Sequence, residues 1–353
     1  MDKSFAHTLL VWYGENHRHL PWRETRNPYL IWISEIILQQ TRVAQGYDYF
    51  LRFIQRFPDV KTLAQAEEED VLKCWQGLGY YSRARNLHVA ARQVAQRGGF
   101  PETYQDIRSL KGVGDYTAAA IASFAFGLPH AVVDGNVYRV LARYFGITEP
   151  TDTAAGKKYF ARLAQSLLPK GESGANYNQA IMDFGALQCV PHSPECAACP
   201  LVGNCVAFQD GKVHTLPVKS RSPRISVRYF HYIFIRVEDE IALFRRNGED
   251  IWKGLYEPFL IETAAPCSLE GLLADGALPA FAKGEGVTWS VLQENMRHQL
   301  THRTLICNFY RLDLRQKPDD GVLKDVCWVS QDSLSDYAFP RPITLLLERH
   351  GMI

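Results

Sequence analysis

A chain of 353 residues is long enough for two domains of ordinary size or three small ones. Its 46% hydrophobic and 22% charged content is that of a globular protein and excludes a disordered or collagen-like chain. A net charge of +1 excludes a globally basic polyanion binder, and interrupted apolar runs such as Ala118–Ile121 with Phe124–Phe126 are too short to span a bilayer.

The start, Met1-Asp2-Lys3-Ser4, lacks a basic region, an apolar core and a small-residue cleavage site, which predicts a cytoplasmic location. Residues 1–210 read as one all-α domain of about ten helices. Trp32, Ile33, Ile36, Ile37 and Gln40 recur at helical spacing, as do Leu87, Ala90, Ala91 and Val94. Phe57-Pro58, Gly77-Leu78-Gly79, Gly98–Pro101 and Gly127–Pro129 punctuate the runs. Glu35 stands inside the apolar run Trp32–Leu38. There it is either a general acid, its pKa raised by burial, or a carboxylate on a helix surface.

The next informative stretch is Leu110–Arg139. Leu110-Lys111-Gly112-Val113-Gly114 opens a helix, so Gly112 and Gly114 present backbone N–H groups and the positive helix end to an anion such as a phosphate. Asp134 follows, just before another helical run, where it serves as an N-cap, as a reacting carboxylate, or as both.

Cys189, Cys196, Cys199 and Cys205 form a Cys-x6-Cys-x2-Cys-x5-Cys array within 17 residues. Four bunched thiols point to a soft metal centre, zinc or a [4Fe–4S] cluster, and exclude calcium and magnesium. The long x6 gap leans toward the cluster.

Residues 211–227 read as a polar, basic linker carrying Lys212, Lys219, Arg221 and Arg224. From 228 the pattern becomes α+β. Strands are expected at Tyr229–Val237, Ile241–Phe244, Leu305–Leu314 and Val326–Val329, with helices at Ser268–Leu273 and Pro342–Glu348. His298 and His302 form a His-x3-His pair with no evident third ligand.

Taken in order, Leu20–Arg23, Pro28–Thr41, Gly77–Leu87, the hairpin at 110–118, Val133–Val137 and the cysteine quartet resemble the helix-hairpin-helix DNA glycosylases of the endonuclease III superfamily, within it the MutY-type adenine glycosylases. The resemblance implies an all-α helix-hairpin-helix domain (hairpin near 108–127, iron–sulfur loop 189–205) and a Nudix-like α+β domain at 228–353. It implies a [4Fe–4S] cluster on the four cysteines. It implies a monomer acting on double-stranded DNA with adenine opposite 8-oxoguanine or guanine.

The same resemblance implies that Glu35 protonates adenine, Asp134 stabilises the sugar cation and Asn136 orients Asp134. Bifunctional relatives carry a Schiff-base lysine where this chain has Tyr116, so base release without strand cleavage is expected. Arg23 matches an adenine-pocket residue; Gln40 and Tyr80 match wedges that fill the stack once the base is everted, and Tyr80 is read equally as a core aromatic. Arg83 and Arg85 are read either as phosphate contacts or as solvent-facing side chains. In the C-terminal domain Thr301 and His302 match a lesion-reading loop in which Leu300 replaces an aromatic. The run of carboxylates that an active Nudix hydrolase uses is missing after Gly254–Phe259. The competing readings are a superfamily member acting on another mismatched or oxidised base, and an iron–sulfur DNA-binding protein without catalysis.

Overall fold

The computed structural model describes residues 3–169, 173–220, 225–274, 276, 278–283, 286–319 and 322–353. Chain contacts divide it into two compact units, Met1–Gln65 with Val89–Ser222, and Ala66–His88 with Pro223–Ile353. Residues 66–88, which the helical reading places in an N-terminal domain, therefore group with the C-terminal residues. Among the described residues, the first 210 contain twelve α-helices, slightly more than the spacing predicts, because several are a single short turn such as Val206–Gln209.

In the first unit, the helix Pro28–Ile37 is started by the Asn27 side chain, which accepts from the Tyr29 N–H at 2.9 Å, and by Pro28 in its first turn. It is buried on almost every side, from Tyr29 and Ile31 through Ile37. Such a helix suits a domain centre and takes Glu35 inside with it. The helix Asp115–Phe126 packs against it, and the small residues Ala118, Ala119, Ala120 and Ala122 of that helix are buried. A second core joins Phe5 and Leu9 of Lys3–Asn16 to Val140 and Leu141 of Gly135–Tyr144 and to Tyr177 and Phe184 of Ser173–Leu187. Close approach of the last two helices needs Gly185, since a Cβ there would lie 2.7 Å from Asn136 Cβ and 2.9 Å from its carbonyl oxygen.

Residues 211–220, expected as linker, pack on this unit. Leu216 is buried in the same core, the Thr151 N–H donates to Val218 O at 3.0 Å, and the Ser220 N–H donates to the Asp152 carboxylate. Apolar Val213, Leu216 and Val218 interleave with the basic residues, which composition alone does not resolve. Arg221 and Arg224 lie outside the described residues.

In the second unit, seven strands form one sheet among the described residues: β1 Ser226–Val237, β2 Glu240–Arg245, β3 Tyr256–Glu257, β4 Phe259–Thr263, β5 Thr288–Gln299, β6 Arg303–Leu314 and β7 Val326–Ser330. The central pair β1 and β6 is parallel; β1 also pairs antiparallel with β2 and β4, and β5 pairs antiparallel with β6. The middle of β1, Tyr232–Ile235, is an apolar run because both faces are covered. Phe230, Tyr232 and Phe234 meet Ile343, Leu346 and Leu347 of the helix Arg341–Arg349, while Ile233 and Ile235 meet Leu272, Leu278 and Leu312. β5 escapes the sequence reading because it is a half-exposed, polar strand with two register shifts and Asn295 at φ +55°. The hairpin β5–β6 places Leu300, Thr301 and His302 at its turn, closed by the Leu300 N–H on Arg303 O at 2.8 Å.

Candidate active site

Three elements of the first unit bring Glu35, Tyr116 and Asp134 into one neighbourhood. Glu35 is 7% exposed, and its Oε2 accepts from the Tyr116 hydroxyl at 2.8 Å. Burial pushes its carboxyl from the ordinary 4.5 up to about 7; the Tyr116 bond pulls it back, the Asp134 charge adds to the rise, and Arg23 opposes it. The same burial, with Glu35 next to it, holds the Tyr116 phenol well above its usual range, so it stays a hydrogen-bond donor.

Asp134 is the N-cap of Gly135–Tyr144. Its Oδ1 accepts from the Val137 N–H at 2.8 Å and its Oδ2 from Asn136 Nδ2 at 2.7 Å. Burial raises its pKa, and the bonds from Val137 and Asn136, with the Arg139 charge, oppose the rise. Asn136 is held in turn, because its Oδ1 accepts from Arg139 Nη2 at 2.8 Å. Arg139, which sequence reasoning passed over, is buried and also donates to Cys189 O at 2.7 Å and to Gly185 O at 2.5 Å. A buried arginine four residues into an amphipathic helix is the signal that reading missed. Arg23 ends the turn Pro21–Arg23 and pairs with the fully buried Asp183.

The hairpin joins Tyr104–Arg108 to Asp115–Phe126. Gly112 turns it at φ +75°, a backbone that favours glycine, and Gly114 caps the second helix without a side-chain bond. Both glycines are exposed. Gln40 is exposed and sits at φ +56°, just past the helix that carries Glu35.

Cys189, Cys196, Cys199 and Cys205 line one small cavity and form no disulfide. Among the described residues, no three His, Cys, Asp or Glu are gathered closely enough to hold a single metal ion. Burial pushes the Cys199 thiol up to about 11 and raises those of Cys196 and Cys205, while Arg143 Nη1 donates to Cys189 Sγ at 3.4 Å.

Residues 33–170 match the family described as HhH-GPD superfamily base excision DNA repair protein, and residues 231–349 match the NUDIX domain. An adenine DNA glycosylase of Buchnera aphidicola subsp. Baizongia pistaciae is 31% identical over 98% of this chain and 96% of its own length. The chain belongs to the adenine DNA glycosylase family.

An adenine DNA glycosylase of Mus musculus is 42% identical over 61% of this chain and 44% of its own. A solved structure of a thermostable thymine-DNA glycosylase superposes with a TM-score of 0.55 at 33% identity, over 59% of this chain and 96% of that one. The helical fold with a Nudix-like sheet is thus the family's.

In this adenine DNA glycosylase family member, the second unit holds a cavity of about 510 Å³ lined by Tyr80, Trp252, His298, Leu300, Thr301 and His302, among others. Tyr80 is 47% exposed at φ +49° and its hydroxyl hydrogen-bonds Thr301 Oγ1, so it is not a core aromatic. Arg83 and Arg85 are half-buried. Arg83 lies over the Trp75 and Tyr80 rings and donates to Gly79 O at 3.3 Å; Arg85 donates to Lys253 O. Among the described residues, no third ligand joins His298 and His302 to hold a metal ion. Glu257, in the segment that resembles a Nudix loop, is buried and forked by Arg246 at 2.7 and 2.8 Å. Burial pushes its carboxyl up to about 7, and Arg246 opposes the rise.

Proposed function

We propose that this chain excises adenine from duplex DNA in base excision repair, by hydrolysis of the N-glycosidic bond and without programmed strand cleavage. The observation that carries the reading is the pair of carboxyls in unlike settings: Glu35 buried under Tyr116, and Asp134 capping a helix and hydrogen-bonded twice.

Adenine leaves readily only after a ring nitrogen is protonated, and the sugar left behind is cationic. Glu35, whose carboxyl keeps its proton up to about pH 7, supplies the proton. Asp134, whose two bonds favour its charged form, faces the cation, and Asn136 keeps it oriented. Tyr116 fixes the Glu35 carboxyl and offers no amine for an imine. Arg23, whose charge acts on Glu35, is placed to meet the adenine. Gly112 and Gly114 hold the DNA backbone, and Gln40 and Tyr80 fill the stack left by the everted base. In the second unit Thr301 and His302 read 8-oxoguanine opposite the adenine, with Leu300 packing where relatives stack an aromatic. Cys189, Cys196, Cys199 and Cys205 hold a [4Fe–4S] cluster, which when bound staples the 189–205 loop to the helical core through metal–thiolate bonds. A monomer working on the chromosome acts in the cytoplasm, at the nucleoid of a bacterium.

The decisive assay uses a duplex with one adenine opposite 8-oxoguanine. Alkali-labile breaks at that adenine, with few breaks before alkali, are expected; an intact strand after alkali rules the proposal out. Tyr116→Phe tests the acid. Removing the donor that stabilises the Glu35 carboxylate raises its pKa, so the alkaline limb of single-turnover base release moves to higher pH. A limb that stays put disconnects Tyr116 from the acid. Thr301→Ala probes the reader: the rate ratio for adenine opposite 8-oxoguanine over guanine should fall by about 5-fold, the value of one hydrogen bond. An unchanged ratio removes Thr301 from lesion reading.

A further inference from the structure

Asp183, on the helix Ser173–Leu187, is wholly buried and takes up two arginines at once. Its Oδ1 accepts from Arg18 Nε at 2.8 Å and Nη2 at 2.5 Å. Its Oδ2 accepts from the Arg18 backbone N–H at 3.1 Å and from Arg23 Nη1. The Arg23 charge also acts on Glu35 and Tyr116, lowering the pKa of each. Toward Glu35 face Tyr116 from Asp115–Phe126, Asp134 from the cap of Gly135–Tyr144, and Arg23 from the Pro21–Arg23 turn. Toward Asp183 face Arg18, Arg23 and Tyr13, whose hydroxyl donates to Gln179 Oε1 at 2.7 Å.

A guanidinium beside a carboxyl that must keep its proton is a hazard. An ion pair within about 4–6 Å lowers a carboxyl's pKa by roughly 1 to 3. We propose that Asp183 is a positioning residue that binds Arg23 in an ion pair, braced by Arg18, and so keeps Arg23 from pairing with Glu35. Glu35 then retains the proton it delivers. The inference rests on Glu35 being the proton donor in the reaction proposed above.

The test reads Glu35 directly, in the full chain, by titrating side-chain ¹³C-carboxyl-labelled glutamate in NMR and assigning the signal with Glu35→Gln. Asp183→Asn frees Arg23, and the Glu35 midpoint should fall from about 7 by about 1 or more. Arg18→Gln with Asp183→Asn conserves the net charge of the trio and still frees Arg23. The same fall is expected there, even if the single variant folds poorly. Asp183→Glu should retain the midpoint, and Arg23→Gln added to Asp183→Asn should restore it. A brace with a purely structural role would lower the melting temperature and leave these midpoints alone. Unchanged midpoints in both Asp183→Asn backgrounds overturn the proposal, and so does a fall that persists once Arg23 is Gln. Failure of the parent reading shows separately, as wild-type protein that releases no adenine while its Glu35 midpoint is intact.

Discussion

Glu35→Gln is expected to abolish adenine release and, above pH 7, to make the protein more stable. The loss should be about 10³-fold or more in the single-turnover rate, the upper range for removing a general acid. The gain follows from linkage. In the folded chain the carboxyl holds its proton up to about 7, whereas in the unfolded chain it loses it near 4.5. Below the lower value both states are protonated and no penalty exists. Between the two, the folded state binds more protons than the unfolded one, so stability falls as pH rises, and it levels off above the upper value. The full difference is about 3 kcal/mol, an upper figure from the pKa gap. Gln has no proton to lose and its carbonyl can still accept from Tyr116. Paired denaturant curves at pH 5 and pH 8 check this: the variant's advantage should appear at pH 8 and shrink at pH 5. A stability difference between variant and wild type that is the same at pH 5 and pH 8, or a variant that still releases adenine, refutes the assignment.

Asp134→Asn separates chemistry from architecture. Asn caps a helix about as well as Asp, so the bond to the Val137 N–H survives and stability should change by less than about 1 kcal/mol. The negative charge facing the sugar cation is gone, and base release should fall by about 10³-fold. Asn136 also meets an amide in place of one carboxylate oxygen, which alters its bond but not the cap. Melting curves and single-turnover rates on the same preparation decide the matter. A parallel loss of fold and rate would make Asp134 a cap and nothing more.

Much of this site was legible in the sequence. Glu35 stands out because a carboxylate inside Trp32–Leu38 can only be buried at a cost, and the structure buries it. Asp134 before a helical run reads as a cap, and it is one. Strand β1 is legible because two-sided burial leaves it rich in β-branched and aromatic residues around the apolar run Tyr232–Ile235, whereas β5 is not, because edge strands carry the polar residues of a surface. Arg139 and Asp183 were invisible for a different reason. Each looks like an ordinary charge on a helix until partners 46 to 50 residues away for Arg139, and 160 to 165 for Asp183, are brought alongside.

By itself the sequence determined the helical character of the first 210 residues, strands β1, β2, β6 and β7, the hairpin turn, the cysteine array and the residue at 116, because each depends on local spacing or local backbone chemistry. Only the tertiary structure decided that Tyr116 bonds Glu35, that Arg23 is claimed by Asp183, and that residues 66–88 group with the C-terminal sheet. Desolvation and ion pairing depend on which groups from distant parts of the chain share one low-dielectric space, and local spacing along the chain does not specify that.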